Sequence, residues 1–194
     1  KTKALTLIGF AASTMVLSPA FAHPPTVSIP GKAGSPAAGI RNFEARDAQG
    51  KPFKMSEALA SDTVLLWFTN LCEGCQANMP EIEALARRFP GKAVRIVAVS
   101  VLGADRETPR KVQSKTKLSF PILIDPEGLL SKLVVGSWAE NACPLNNVFI
   151  LGKDGTILYK GHFPGGHSRA EIETELQKAP TSHQEPRGES HVKP

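Results

Sequence analysis

Cysteine is scarce in this chain of 194 residues. There are only three, too few for a disulfide-stapled scaffold, and one thiol is left over once two pair. Long apolar runs are also missing. The most apolar stretch, residues 4–17, is shorter than the roughly 20 residues that cross a bilayer, and Ser13 and Thr14 weaken it further. Neither sign of charge dominates: 23 Lys and Arg stand against 18 Asp and Glu, and the net +5 is spread too evenly to argue for nucleic acid. No internal repeat is visible. With 41% apolar and 21% charged residues, wholesale disorder and a multispanning membrane protein are both excluded. One globular domain with tails is what the length leaves.

The tails are legible. Lys1-Thr2-Lys3, the short apolar run and the ending Ala20-Phe21-Ala22 form the pattern of a secretory signal peptide, assigned to residues 1–22. Left uncleaved, the same segment would act as a membrane anchor. The expected address is periplasmic or secreted, an oxidising setting in which neighbouring cysteines pair unless something reduces them. Residues 23–37, rich in Pro and Gly, read as a linker, and residues 179–194 as a disordered polar tail.

Between them, residues 38–178 alternate strands and helices. A hairpin is expected over residues 43–46 and 52–55. The continuous apolar run 63–68 suits a strand buried on both faces. Ile82, Leu85, Ala86 and Phe89 at helical spacing place an amphipathic helix over residues 73–89. Strands at 93–101 and 121–124, helices at 106–117 and 129–134, a hairpin over 148–151 and 156–160, and a helix at 169–178 complete the order. This is an α/β sandwich with a mixed central sheet flanked by helices and an N-terminal hairpin extension.

Cys72-Glu73-Gly74-Cys75 falls where the buried strand ends and the amphipathic helix begins. Free backbone N–H groups and the positive end of the helix dipole stabilise a thiolate there. Cys72 is therefore the expected attacking thiol, and Cys75, three residues on, can resolve a mixed disulfide formed at Cys72. Structural zinc would need further ligands at suitable spacing, and no second Cys-x-x-Cys or His pair exists. A purely structural bridge across so small a loop stabilises little. Glu73 adds negative charge beside the nucleophile, and a less stabilised thiolate makes for a reducing couple.

The stretch from Leu65 through Cys72 and Cys75 to Pro80 resembles the active-site region of thioredoxin-like proteins, in particular exported TlpA/ResA-type thiol–disulfide oxidoreductases. The hairpin at 43–56, the segment 119–128 and the final hairpin at 149–155 extend the resemblance over residues 38–178. It implies a thioredoxin-like fold, catalytic Cys72 and Cys75, and Pro80 as the proline within the active-site helix. It further implies a protein disulfide as substrate, a membrane electron donor, and a monomer with no cofactor, no metal and no nucleic acid. The family's Trp before the first Cys is Leu71 here, and the acidic residue two before the helix proline is Asn78. No obvious buried carboxylate is left to move protons for Cys75.

Such proteins carry a cis-proline opposite the cysteine pair, and Pro144 is the favoured candidate; with Cys143 it forms the expected substrate-binding element. If Asn146 holds that place instead, Cys143 belongs to a lengthened loop. Topology predicts that Cys143 lies near the pair, because the loop before the final hairpin packs on the start of the active-site helix. There it could exchange with Cys72 or complete a three-sulfur site for Cu(I). Two other functions remain open: a redoxin-type thiol peroxidase, for which Thr69-x-x-Cys72 fits but the preceding Pro and an Arg are missing, and a non-catalytic copper-binding protein. His162 and His167 read as loop residues, and His23 as a candidate copper ligand only if it becomes the N-terminus.

Overall fold

The computed structural model describes residues 36–89, 92–165 and 168–180. The expected signal segment, nearly all of the linker, the tail beyond residue 180, His23 and His167 lie outside them. Among the described residues no helix is long and apolar enough to cross a membrane.

A short helix, α1 (Pro36–Arg41), leads into the hairpin β1 (Glu44–Asp47) and β2 (Pro52–Lys54). Helix α2 (Met55–Ser61) follows at once, and the chain enters β3 (Thr63–Thr69). Then come α3 (Glu73–Arg87), β4 (Val94–Ser100), α4 (Glu107–Thr116), β5 (Ile122–Ile124) and α5 (Leu129–Val135). The hairpin β6 (Val148–Leu151) and β7 (Ile157–Gly161), then α6 (Ser168–Gln177), close the domain.

Seven strands form one sheet in the order β2-β1-β5-β4-β3-β6-β7. β3 pairs parallel with β4 and antiparallel with β6, and β4 pairs parallel with β5. The sheet is therefore mixed, as the alternation of elements implies. All seven residues of β3 are buried, which is what a central strand covered on both faces requires. Its side chains alternate between two cores. Leu65 and Trp67 join Met79, Ile82 and Leu85 of α3 and Ile172 and Leu176 of α6 on one face. Val64, Leu66 and Phe68 join Ile40, Leu59, Leu130 and Val134 on the other.

Two helices depart from the sequence expectation. α1 begins at Pro36, within the last two residues of the expected linker, with Ile40 buried in the second core. α2 stands where the expected hairpin strand ends at Met55; Met55, Ala58 and Leu59 carry helical spacing, and all three are buried.

The register sets up the site. Trp67 lies opposite Val148, and the Phe68 N–H donates to the Asn147 carbonyl at 2.8 Å. The segment that enters β6 must therefore run over the C-terminal end of β3. The end of β4 holds the same segment from the other side: the Val101 N–H donates to the Thr69 carbonyl, and the Asn141 N–H donates to the Val101 carbonyl.

Candidate active site

β3 and α3 are joined by only three residues, Asn70, Leu71 and Cys72. Leu71 adopts φ 57°, a left-handed conformation that side-chain-bearing residues rarely take. Two bonds and a buried side chain hold it there. The Leu71 N–H donates to the Thr69 hydroxyl at 3.0 Å, and the Gln76 amide donates to the Leu71 carbonyl at 2.7 Å. Its side chain is only 2% exposed, packed in the core beneath α3. This leucine serves as a buried anchor at a sharp reversal of the chain.

The reversal delivers Cys72 to the start of α3. Its carbonyl accepts the Gln76 N–H at 2.8 Å, and its sulfur accepts the Cys75 N–H at 3.4 Å. Cys72 thus caps the helix with a thiol, which places the sulfur against free N–H groups at the positive end of the dipole. Cys72 is exposed and Cys75 half-buried, and both are free thiols. Glu73 is exposed in the first turn, as a solvated side chain should be. Pro80 lies inside α3, where it cannot donate to the carbonyl of Gln76.

Cys143 reaches the pair, as topology predicts, but its neighbour is Cys75. The two sulfurs are 3.8 Å apart. The backbone N–H of Asn70 donates to the Cys143 sulfur at 3.1 Å, while the Asn70 side-chain oxygen accepts from the Cys75 thiol at 3.4 Å and from the Cys72 N–H at 3.3 Å. Asn70 therefore touches all three cysteines. Sequence reasoning missed it, because its role depends on a loop conformation that no glycine announces.

These contacts divide the protons unequally. The contact between the Cys143 and Cys75 sulfurs, with the Asn70 N–H, holds the Cys143 thiol below its ordinary 9.0, at about 7, against the opposing effect of burial. Cys75 is pushed up by the same contact with Cys143, and burial adds to the effect. Of the two, Cys143 is therefore the more acidic thiol.

The expectation of a cis-proline at position 144 is corrected. The cis bond among the described residues is Phe163-Pro164, and the Cys143-Pro144 bond is trans. Cys143 nonetheless faces the cysteine pair, so its approach does not depend on a cis bond. The lengthened loop is instead tied down by side chains. Asn147 and Phe163 exchange buried hydrogen bonds at 2.7 and 2.9 Å, His162 contacts the Leu145 carbonyl at 2.8 Å, and the Asn70 amide donates to the Asn141 carbonyl at 3.4 Å. Leu145, next to Pro144, is 91% exposed.

Thr69, which the sequence offers as a peroxide-activating residue, is fully buried, and its hydroxyl serves the Leu71 N–H. Among the described residues, no group of three His, Cys, Asp or Glu side chains is disposed to hold a metal ion.

Comparison with known proteins fits this geometry. The AhpC/TSA family profile matches residues 36–160. A thiol-disulfide oxidoreductase named ResA from Bacillus cereus is 29% identical over 140 residues, 71% of this chain and 74% of the relative. A ResA from Geobacillus kaustophilus is 26% identical over 136 residues, 70% of this chain and 73% of the relative. Among solved structures, a secreted Mycobacterium tuberculosis disulfide oxidoreductase homologous to E. coli DsbE superposes with TM-score 0.53 at 24% identity, over 71% of this chain and 96% of that one. Peroxidoxin BcpB from the same organism gives TM-score 0.56 at 20% identity, over 70% and 91%. These two likenesses establish the thioredoxin-like fold.

Proposed function

The chain belongs to the AhpC/TSA family and is a thiol–disulfide oxidoreductase of thioredoxin-like fold; from that premise we propose that it reduces protein disulfides outside the cytoplasm, through Cys72 and Cys75. The observation that carries the reading is the placement of the pair. Cys72 is exposed at the helix start, and Cys75 is shielded one turn inside with its N–H on the Cys72 sulfur.

The reaction runs in two exchanges. The Cys72 thiolate attacks a substrate disulfide, forms a mixed disulfide and releases the first substrate thiolate. Cys75 then loses its proton and attacks the Cys72 sulfur, which releases the second substrate thiolate and leaves a Cys72–Cys75 disulfide. The substrate gains two electrons, which a dithiol donor associated with the membrane restores to the protein. The side chains on Cys75 are Asn70, Thr69 and the two other cysteines, with no carboxylate among them, so solvent or the departing substrate thiolate takes its proton.

Substrate docks across Cys143-Pro144 and the exposed Leu145, an apolar edge beside the cysteines that suits an extended peptide segment. The acidic Glu73 next to Cys72, with no cation between the two cysteines, favours a reducing couple over a strongly oxidising one. The export pattern at residues 1–22 supports the same direction, because disulfides form in an oxidising compartment unless something reduces them.

A Cys75→Ser variant tests the proposal, since it should accumulate mixed disulfides joined to protein substrates through Cys72. Insulin reduction by the wild-type protein should need both cysteines. A potential close to that of DsbA would reverse the direction proposed, and capture of substrates through Cys75 in a Cys72→Ser variant would reverse the order of attack.

A further inference from the structure

We propose that Cys143 is a second resolving thiol, which takes over Cys75 from the Cys72–Cys75 disulfide and returns Cys72 to its free form while the protein is still oxidised. This inference rests on the reading of Cys72 and Cys75 as the reacting pair.

The step is redox-neutral. The Cys143 thiolate attacks the Cys75 sulfur, the Cys75–Cys143 bond forms, the Cys72–Cys75 bond breaks, and Cys72 leaves as a thiolate that solvent protonates. No oxidant beyond the disulfide substrate already consumed is required.

Two observations place the attacking group. The Cys143 and Cys75 sulfurs are 3.8 Å apart, so forming a bond of ~2.05 Å needs an approach of about 1.8 Å. The Asn70 N–H on the Cys143 sulfur aims a donor at the atom that must carry negative charge before attack. Once Cys75 is in the Cys72–Cys75 disulfide it has no thiol proton to give, and the Asn70 N–H is the contact that still favours the Cys143 thiolate. Cys72 gains as the leaving group, because it departs onto the start of α3, where the Cys75 N–H and the helix dipole receive its charge.

The consequence is functional. With only two cysteines, the oxidised protein would hold its nucleophile locked in a disulfide. With the third, oxidised protein presents a free, exposed Cys72 that can engage another disulfide or thiol-reactive partner while the oxidising equivalent is stored in the half-buried Cys75–Cys143 link.

The test is a timed quench. Reduced wild-type protein is mixed with insulin, samples are taken over time into acid, free thiols are tagged with a maleimide under denaturing conditions, and the tagged cysteine is identified by peptide mass mapping. The expected course is an early tag on Cys143, marking the Cys72–Cys75 disulfide, replaced by a tag on Cys72 as the Cys75–Cys143 disulfide forms. In a Cys143→Ala variant, the Cys72 tag should disappear from the oxidised chains. A tag that stays on Cys143 at all times overturns the proposal. A Cys72→Ser variant that keeps both remaining thiols after incubation with diamide overturns it as well. Failure of the underlying reading has its own signature: wild-type protein that does not reduce insulin at all, or a Cys143→Ala variant in which Cys72 and Cys75 never join.

Discussion

The division of protons between Cys143 and Cys75 makes the stability of the reduced protein depend on pH in a calculable direction. The folded chain holds the Cys143 thiol at about 7, whereas an unfolded chain returns it to 9.0. Between those values the unfolded state binds more protons than the native state, so stability rises as pH increases from 7 to 9 and is lost as pH falls through 7. Without screening, such a displacement would be worth about 2.7 kcal/mol. Cys143 is only half-buried, and solvent screening reduces the expected gain to roughly 1 kcal/mol. Above pH 9 the slope reverses, because Cys75 is held protonated in the fold while an unfolded Cys75 would ionise. The assay is urea denaturation of wild-type protein and of Cys143→Ser, both kept reduced with a phosphine, at pH 7, 8 and 9. Wild type should gain about 1 kcal/mol on the variant across that range. Equal slopes for the two proteins would refute the assignment of the thiolate to Cys143, and a wild-type loss relative to the variant would refute its sign.

Three other substitutions or treatments test separate parts of the structure. Iodoacetamide at pH 7 should label exposed Cys72 before Cys75, whose proton is retained by its contacts with Cys143 and by burial; peptide mapping after a short pulse would show the reverse order if the helix-start assignment is wrong. Asp125, 2% exposed, accepts from the Leu130 and Ser131 N–H groups and from the Ser131 hydroxyl, so Asp125→Ala should cost about 2–3 kcal/mol in urea denaturation. A loss smaller than about 0.5 kcal/mol would mean that water replaces the carboxylate at nearly equal free energy. Leu145→Asp should raise KM for insulin while leaving the rate with a small aromatic disulfide unchanged, because only an extended substrate reaches that exposed side chain. Equal effects on both substrates would remove Leu145 from the docking edge.

What is legible in the sequence follows the range over which each feature is encoded. The strand 63–68 and the helix after it are local: continuous burial of β3 and the spacing of Ile82 and Leu85 carry their own signal. α2 is local too, since Met55, Ala58 and Leu59 hold a helical pattern, but a strand pattern ending on the same Met55 masks its start. The position of Cys143 is encoded at longer range, through the pairing of Trp67 with Val148, and strand order alone suffices to bring it near the cysteine pair. Which cysteine it meets cannot be read that way. That choice is made by the three-residue link in which Leu71 takes φ 57° without a glycine to mark it. The turn at Leu71 aims the Asn70 backbone at Cys143 and the Asn70 side chain at Cys75 and the Cys72 N–H. Leu71, which stands where the family pattern has Trp, is in the fold the anchor of that turn: its side chain is buried with Trp67 and Met79, and the packing holds a backbone conformation that would otherwise relax.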